Sequence, residues 1–166
     1  VTMSKHKPLI FAGVIERPFH QLKKLQSLKF GVPIVPMESC LPLKNLVACT
    51  LQALWIYARP PKLRGPIEID GLDVSCLLRR SIKDARNSGD FLLNLLVYYS
   101  ARCLAQSIRV ARCLYPYENR AWEKMLLLGL RSVSSKTRMV GYQHAAITPS
   151  HTNFILSHEE ANITPL

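Results

Sequence analysis

Residues 107–145 read SIRVARCLYPYENRAWEKMLLLGLRSVSSKTRMVGYQHA, and their pattern decides the fold class. Ile108, Val110, Cys113, Leu114 and Tyr115 form an apolar run of strand length. Asn119 then starts a helix that carries Trp122, Met125, Leu126 and Leu130 at helical steps. Ser132–Lys136 supply a polar turn, and Thr137–Gln143 return to a strand pattern. Strand, helix, strand in this order predicts a βαβ unit, because two parallel strands need a crossover connection, and a right-handed one is expected.

Working outward, Pro8–Ile15 (PLIFAGVI) reads as a buried strand. Pro18 suits the first turn of a helix bearing Phe19, Leu22, Leu25 and Leu28, and Gly31-Val32-Pro33 ends it. Ile34–Met37 reads as a second short strand, against which Pro36 counts, since proline cannot donate to a ladder. The best-defined helix is Pro42–Ala58, where Leu43, Leu46, Val47, Thr50, Leu51, Leu54, Trp55 and Ala58 share one broad stripe. Such a stripe is expected to face a core. Arg59-Pro60-Pro61 stops it, and a loop runs to Asp70. Asp73 or Ser75 is expected to cap a helix to about Arg86, with Val74, Leu77, Leu78 and Ile82 inward and Arg79, Arg80, Lys83 and Arg86 outward. Asn87-Ser88-Gly89-Asp90 is a break. Asp90 then caps a helix from Phe91 to about Gln106, apolar on nearly every side and therefore expected between layers. Together these elements predict an α/β fold, a parallel sheet with flanking helices, as a single domain over residues 1–166.

The chain has 166 residues, a net charge of +11, and 48% hydrophobic against 20% charged residues, the balance of one globular domain with a genuine core. It opens at Val1 and stops after a Thr-Pro pair, which reads as a piece of something longer. The positive charge favours polyanions or an anionic surface, yet it is dispersed and carries no zinc, helix-turn-helix or RNP pattern, so nucleic acid is not expected as a partner. Cys40, Cys49, Cys76, Cys103 and Cys113 form no C-x-x-C pair, which suits reduced, mostly buried thiols in a cytoplasmic protein. The apolar stretch 41–58 is interrupted by Lys44, Asn45 and Gln52 and is too polar to span a bilayer. Association with a membrane surface through basic residues remains open.

In an open parallel sheet the ligand crevice lies beyond the carboxyl ends of the strands. One strand end here delivers Tyr115-Pro116-Tyr117-Glu118-Asn119, and the other Tyr142-Gln143-His144. Parallel neighbours place both at one edge, so a carboxylate, carboxamides and an imidazole converge beside tyrosine faces. Hydroxyl hydrogen bonding plus ring stacking suits a carbohydrate, and amides at the start of the Asn119 helix would favour phosphate. Plainer explanations stand beside these. Glu118 can pair with Arg120 or cap the helix, Glu123 can serve the helix dipole, and Trp122 belongs to a core. His151 and His158 sit in a polar loop, where an exposed neutral histidine is ordinary. Their seven-residue spacing from His144 matches no metal-ligand pattern, so no metal is expected. No P-loop, nucleophile elbow or G-x-G-x-x-G fingerprint is present, which excludes the common nucleotide triphosphatase and dinucleotide-binding classes.

The string Tyr115-Pro116-Tyr117-Glu118-Asn119-Arg120-Ala121-Trp122-Glu123, followed by Gly141-Tyr142-Gln143-His144-Ala145, resembles bacterial surface-carbohydrate (capsule or O-antigen) biosynthesis proteins of the glycosyltransferase type. Ile147-Thr148-Pro149 and Asn153-Phe154 are similar to the loop that follows this block in that family. The resemblance covers roughly a quarter of the chain and implies the N-terminal, acceptor-side half of a GT-B-like fold, two Rossmann-like halves facing across a cleft. It further implies transfer from a nucleotide-sugar to a growing surface polysaccharide, with no other cofactor, and an isolated half that is inactive. Carried over residue by residue, Glu118 becomes a general base or acceptor-orienting carboxylate. His144 becomes a hydrogen-bond donor to acceptor or phosphate, and Asn119 and Gln143 orient hydroxyls. Tyr117, Glu123, Tyr142 and His151 complete the substrate-binding set. The competing expectation is a non-catalytic basic module that docks to an anionic partner or to the inner membrane surface through Arg79–Arg86.

Overall fold

The computed structural model describes residues 7–12, 31–59, 65–69 and 71–143. Strands β1 (Ile10–Ala12) and β2 (Ile34–Pro36) pair in parallel, and a 3-10 turn over Met37–Cys40 leads from β2 into helix α1 (Leu43–Ala58). A two-residue-per-strand antiparallel ladder follows, β3 (Glu68–Ile69) with β4 (Leu72–Asp73). Helices α2 (Ser75–Asn87) and α3 (Asp90–Ser107) come next, then β5 (Arg112–Pro116), α4 (Ala121–Arg131) and β6 (Arg138–Tyr142). β5 and β6 are parallel, with Arg112 opposite Arg138 and Pro116 opposite Tyr142, so residues 107–145 do contain a βαβ unit across their described part.

The chain is thus mixed α/β with small parallel sheets, and among the described residues no Rossmann-like sheet is continuous: three two-stranded ladders stand separately. One reason lies in β5 and β6 themselves. A doubly wound sheet needs both faces covered, yet β5 alternates between exposed and covered positions, with Tyr115 buried and Leu114 72% exposed. Among the described residues, helices cover one face of this ladder.

The core joins these pieces through α3 and α4. Val97 and Ala101 of α3 pack with Leu126, Leu127 and Leu130 of α4, Tyr115 of β5 and Met37 of the 3-10 turn, and Phe11 of β1 packs against the same cluster. The expected burial of α3 between layers is therefore met at Leu95, Val97, Ser100, Ala101, Cys103 and Leu104. Gly129 sets how closely α4 approaches. A Cβ there would stand 2.4 Å from the Tyr98 carbonyl oxygen, 2.9 Å from the Ala101 Cβ and 3.2 Å from the Arg102 amide nitrogen. Only a residue without a side chain lets the two backbones meet at that distance.

Helix α1 contradicts the expectation that its stripe faces a core. Leu43 is 74% exposed and Leu51 62%, while Leu46, Val47, Leu54, Trp55 and Tyr57 are also exposed. Cys49 is the buried residue of the helix. Two hydrogen bonds tie the helix to α3: the Asn45 Nδ2 donates to Cys103 Sγ at 2.8 Å, and the Tyr99 hydroxyl donates to Gln52 Oε1 at 3.1 Å. Hydrophobic periodicity identified the shared face correctly and misjudged what lies against it. In α2, similarly, Leu77 and Leu78 are exposed rather than inward, because few of the described residues pack over that helix. The N-cap of this helix is Val74 rather than Asp73 or Ser75, although Asp73 Oδ1 accepts the Ser75 amide at 2.8 Å. Hydrogen bonding from the Ser75 side chain and amide holds the Asp73 carboxyl below its ordinary range. The expected break narrows to Ser88–Gly89: Asn87 ends α2, Asp90 is the first residue of α3 rather than its cap, and Gly89 takes a left-handed φ of 76° as the N-cap.

Candidate functional site

The register of β5 and β6 brings their carboxyl ends together. Beyond the last ladder pair, the Tyr117 amide donates to the Tyr142 carbonyl at 2.8 Å, which extends the pairing by one step. Tyr117, Glu118 and Asn119 therefore leave β5 beside Tyr142 and Gln143 leaving β6, the juxtaposition expected from the sequence. His144 and His151 lie outside the described residues, as do His158 and the Ile147–Pro149 stretch.

Gly141 allows this edge to close. It pairs with Tyr115, and a Cβ at 141 would meet the Tyr117 Cβ at 3.2 Å and the Tyr115 hydroxyl at 3.3 Å. The two tyrosines thus occupy the space that a strand side chain would take, a common reason for glycine inside a strand. Tyr115 is buried, and that burial, reinforced by the nearby Glu123 carboxylate, pushes its phenol above the usual tyrosine value.

The turn from β5 into α4 is shaped by Glu123. Its carboxylate is 2% exposed and points back toward the strand. Oε1 accepts the Glu118 amide at 3.0 Å, and Oε2 accepts the amides of Glu118 and Asn119, each at 3.1 Å. With Arg120 as the N-cap, Glu123 stands at the third helical position, from which a glutamate reaches back to amides preceding the helix. The helix begins at Ala121, two residues later than expected, because Asn119 takes a left-handed φ of 56° that no helix continues.

Two expectations are revised by this geometry. Glu123 was placed in the substrate-binding set, but both its oxygens are engaged by the turn's own backbone. The phosphate preference expected at this helix start is also weakened: two of the amides there already hold a carboxylate, and an added anion would meet its charge. Glu118 makes the plainer contact anticipated for it, with Arg120 Nε donating to its Oε2 at 2.8 Å, while the Glu118 side chain stays about one-third exposed. The polar residues gathered at this edge are Glu118 and Asn119, both half-buried, with Arg120, Tyr142 and Gln143, all exposed.

A cavity of about 1230 Å³ lies beside this set rather than within it. It opens between β1, α3, β5 and α4, with Phe11, Val97, Leu104, Leu114, Trp122 and Leu126 among its walls. Tyr115 and Pro116 line its end nearest the strand-end cluster. Sequence reading gave no sign of it, since its walls are ordinary core-type residues from four separate elements.

Among the described residues no group of three or more His, Cys, Asp or Glu side chains is placed to hold a metal ion. The five cysteines are free; Cys49 and Cys103 are buried and Cys76 is exposed. Desolvation pushes the Cys49 thiol up to about 11 and raises Cys113 as well, so neither is poised as a nucleophile. Among the described residues no helix is long and apolar enough to cross a membrane. No family model, no curated protein and no solved structure matches this chain.

Proposed function

We propose that this chain is the acceptor-side part of a glycosyltransferase that moves a sugar from a nucleotide-sugar to a growing bacterial surface polysaccharide. In this proposal it forms the N-terminal, Rossmann-like half of a GT-B-like fold and works in the cytoplasm. The supporting observation is the parallel β5/β6 register, which sets Tyr117, Glu118 and Asn119 beside Tyr142 and Gln143 at one carboxyl edge. Exposed tyrosine at position 142 offers a stacking face, and the carboxylate and carboxamide groups offer hydrogen bonds to sugar hydroxyls.

In this reading Glu118 orients the acceptor hydroxyl and takes its proton as the hydroxyl attacks the anomeric carbon, while Arg120 holds the carboxylate at Oε2. Asn119 and Gln143 fix neighbouring hydroxyls, and His144 and His151 donate from the following segment. Glu123 keeps the turn in shape and touches no substrate.

The test is saturation-transfer NMR of the chain with capsule and O-antigen repeat-unit oligosaccharides. Binding that weakens about tenfold in Glu118→Gln and Gln143→Ala, with unchanged thermal unfolding, supports the reading. No saturation transfer from the chain to any of the oligosaccharides, or binding indifferent to both substitutions, overturns it.

A further inference from the structure

Helix α1 carries much of its apolar surface outward. Its covered side holds Asn45, Cys49, Ala53 and Ile56, and the opposite side carries Leu43, Val47, Leu51 and Leu54, all exposed. At about 3.6 residues per turn these four leucine and valine positions follow one line along the outer surface. Trp55 flanks that line on one side and Tyr57 on the other, and both are more than half exposed. A monomer in water rarely leaves such a contiguous apolar face open, so the face marks an interaction surface.

The charges around it select among partners. Between Leu43 and Ala58 the sole ionisable groups with charge at neutral pH belong to Lys44, which lies between Leu51 and Trp55 around the helix. Arg59 follows at the carboxyl end. Arg86 of α2 lies there too: its guanidinium sits 4.9 Å from the centre of the Tyr57 ring and donates to the Tyr57 carbonyl. Arg79 and Lys83 extend the positive charge along α2, while Arg80 is paired with Asp84 at 3.8 Å. An apolar stripe rimmed by aromatic and predominantly basic side chains is the composition of a helix lying in a bilayer interface. A face meant for a second copy would meet its own positive rim. An anionic bilayer would meet it with the opposite sign.

We propose that the outer face of α1 docks on an anionic lipid surface, its four aliphatic side chains entering the boundary between headgroups and acyl chains and Lys44, Arg59 and Arg86 engaging the headgroup phosphates. The proposal stands on α1 and α2 alone and is independent of the sugar-site reading at the β5/β6 edge.

The experiment is flotation of the whole chain with phosphatidylcholine vesicles containing about 30 mol% phosphatidylglycerol, and with pure phosphatidylcholine vesicles, at physiological salt. The expected result is binding to the mixed vesicles that is at least about tenfold weaker for pure phosphatidylcholine and falls in about 0.5 M NaCl. The double variant Leu51→Ser with Leu54→Ser should lose binding at least about tenfold while its thermal unfolding is unchanged. Failure of the chain to float with the mixed vesicles overturns the proposal, as does equal binding to both vesicles. Sedimentation without lipid supplies the remaining arm: a dimer that the double variant converts to monomer assigns the face to a second copy and overturns the proposal too.

Discussion

The α3–α4 contact and helix α1 carry similar numbers of leucines and use them in opposite ways. At the first, Leu127 and Leu130 are almost wholly excluded from solvent, and Gly129 brings two backbones into contact. At the second, a regular apolar helix turns small and polar residues with Ile56 toward the protein and its leucines toward solvent. Apolar content does not distinguish the two regions. What does is whether the opposing surface offers a shape that the helix can approach.

That contrast is sharpest at Gly129. Replacing it with Val should cost about 3 kcal/mol or more, read as a shift in the denaturation midpoint at unchanged slope. Gly129→Ala gives the more telling sign. Helix propensity alone favours Ala by about 1 kcal/mol, whereas a Cβ 2.4 Å from the Tyr98 carbonyl demands a backbone shift. Destabilisation is expected, and a more stable Ala variant would show that the helices are not in close contact there.

A smaller effect is expected at the turn that closes the βαβ unit. Glu123→Gln keeps one acceptor and turns a donor toward the amides of Glu118 and Asn119, so a loss of ~2 kcal/mol should appear in denaturant unfolding. Amide exchange at 118 and 119 should quicken with it, since a neutral carboxamide offers one weaker acceptor oxygen in place of two charged ones. Unaltered exchange would mean that the carboxylate does not hold the turn.

Tyr115 adds a dependence on pH. Its folded pKa is raised by burial, so the folded state retains the phenolic proton after the unfolded chain has lost it. Its contribution to stability is complete below about pH 10 and is lost as pH rises through the folded value. Tyr115→Phe should therefore show a shallower alkaline loss than the parent in urea titrations above about pH 10, and identical slopes would exclude Tyr115 as a source.

The smallest effects belong to α1. Leu51→Ser and Leu54→Ser should each change stability by no more than about 0.5 kcal/mol, an order below what a core leucine costs. A loss of several kcal/mol from either in the lipid-free chain would erase the distinction between the regions.

These contrasts mark where the sequence was readable. The βαβ unit was legible because two strand patterns flank a helical one, and its parallel register follows from the crossover. The α1 stripe was equally plain, but periodicity states which residues share a face and is silent on what covers it. Gly129 did leave a signal: a glycine in the run MLLLGL weakens a helix unless a neighbour needs the space. Glu123 left one as well, three residues after the N-cap, yet the spacing fits a dipole role and a capping role equally. The cavity left none, because its walls come from elements distant in the chain. A Rossmann-like sheet was implied by the resemblance around one βαβ unit, and neither shows which ladders join.

The Glu123 contacts separate the shape of the strand-to-helix turn from its chemistry. The turn is held through main-chain amides, which every residue but proline possesses, and through the left-handed backbone at Asn119. Position 118 can therefore exchange its side chain while the path of the loop stays put. A substitution at 118 would thus change the chemistry of this edge without moving the loop, whereas one at 123 would move the loop and leave the chemistry of residue 118 in the wrong place.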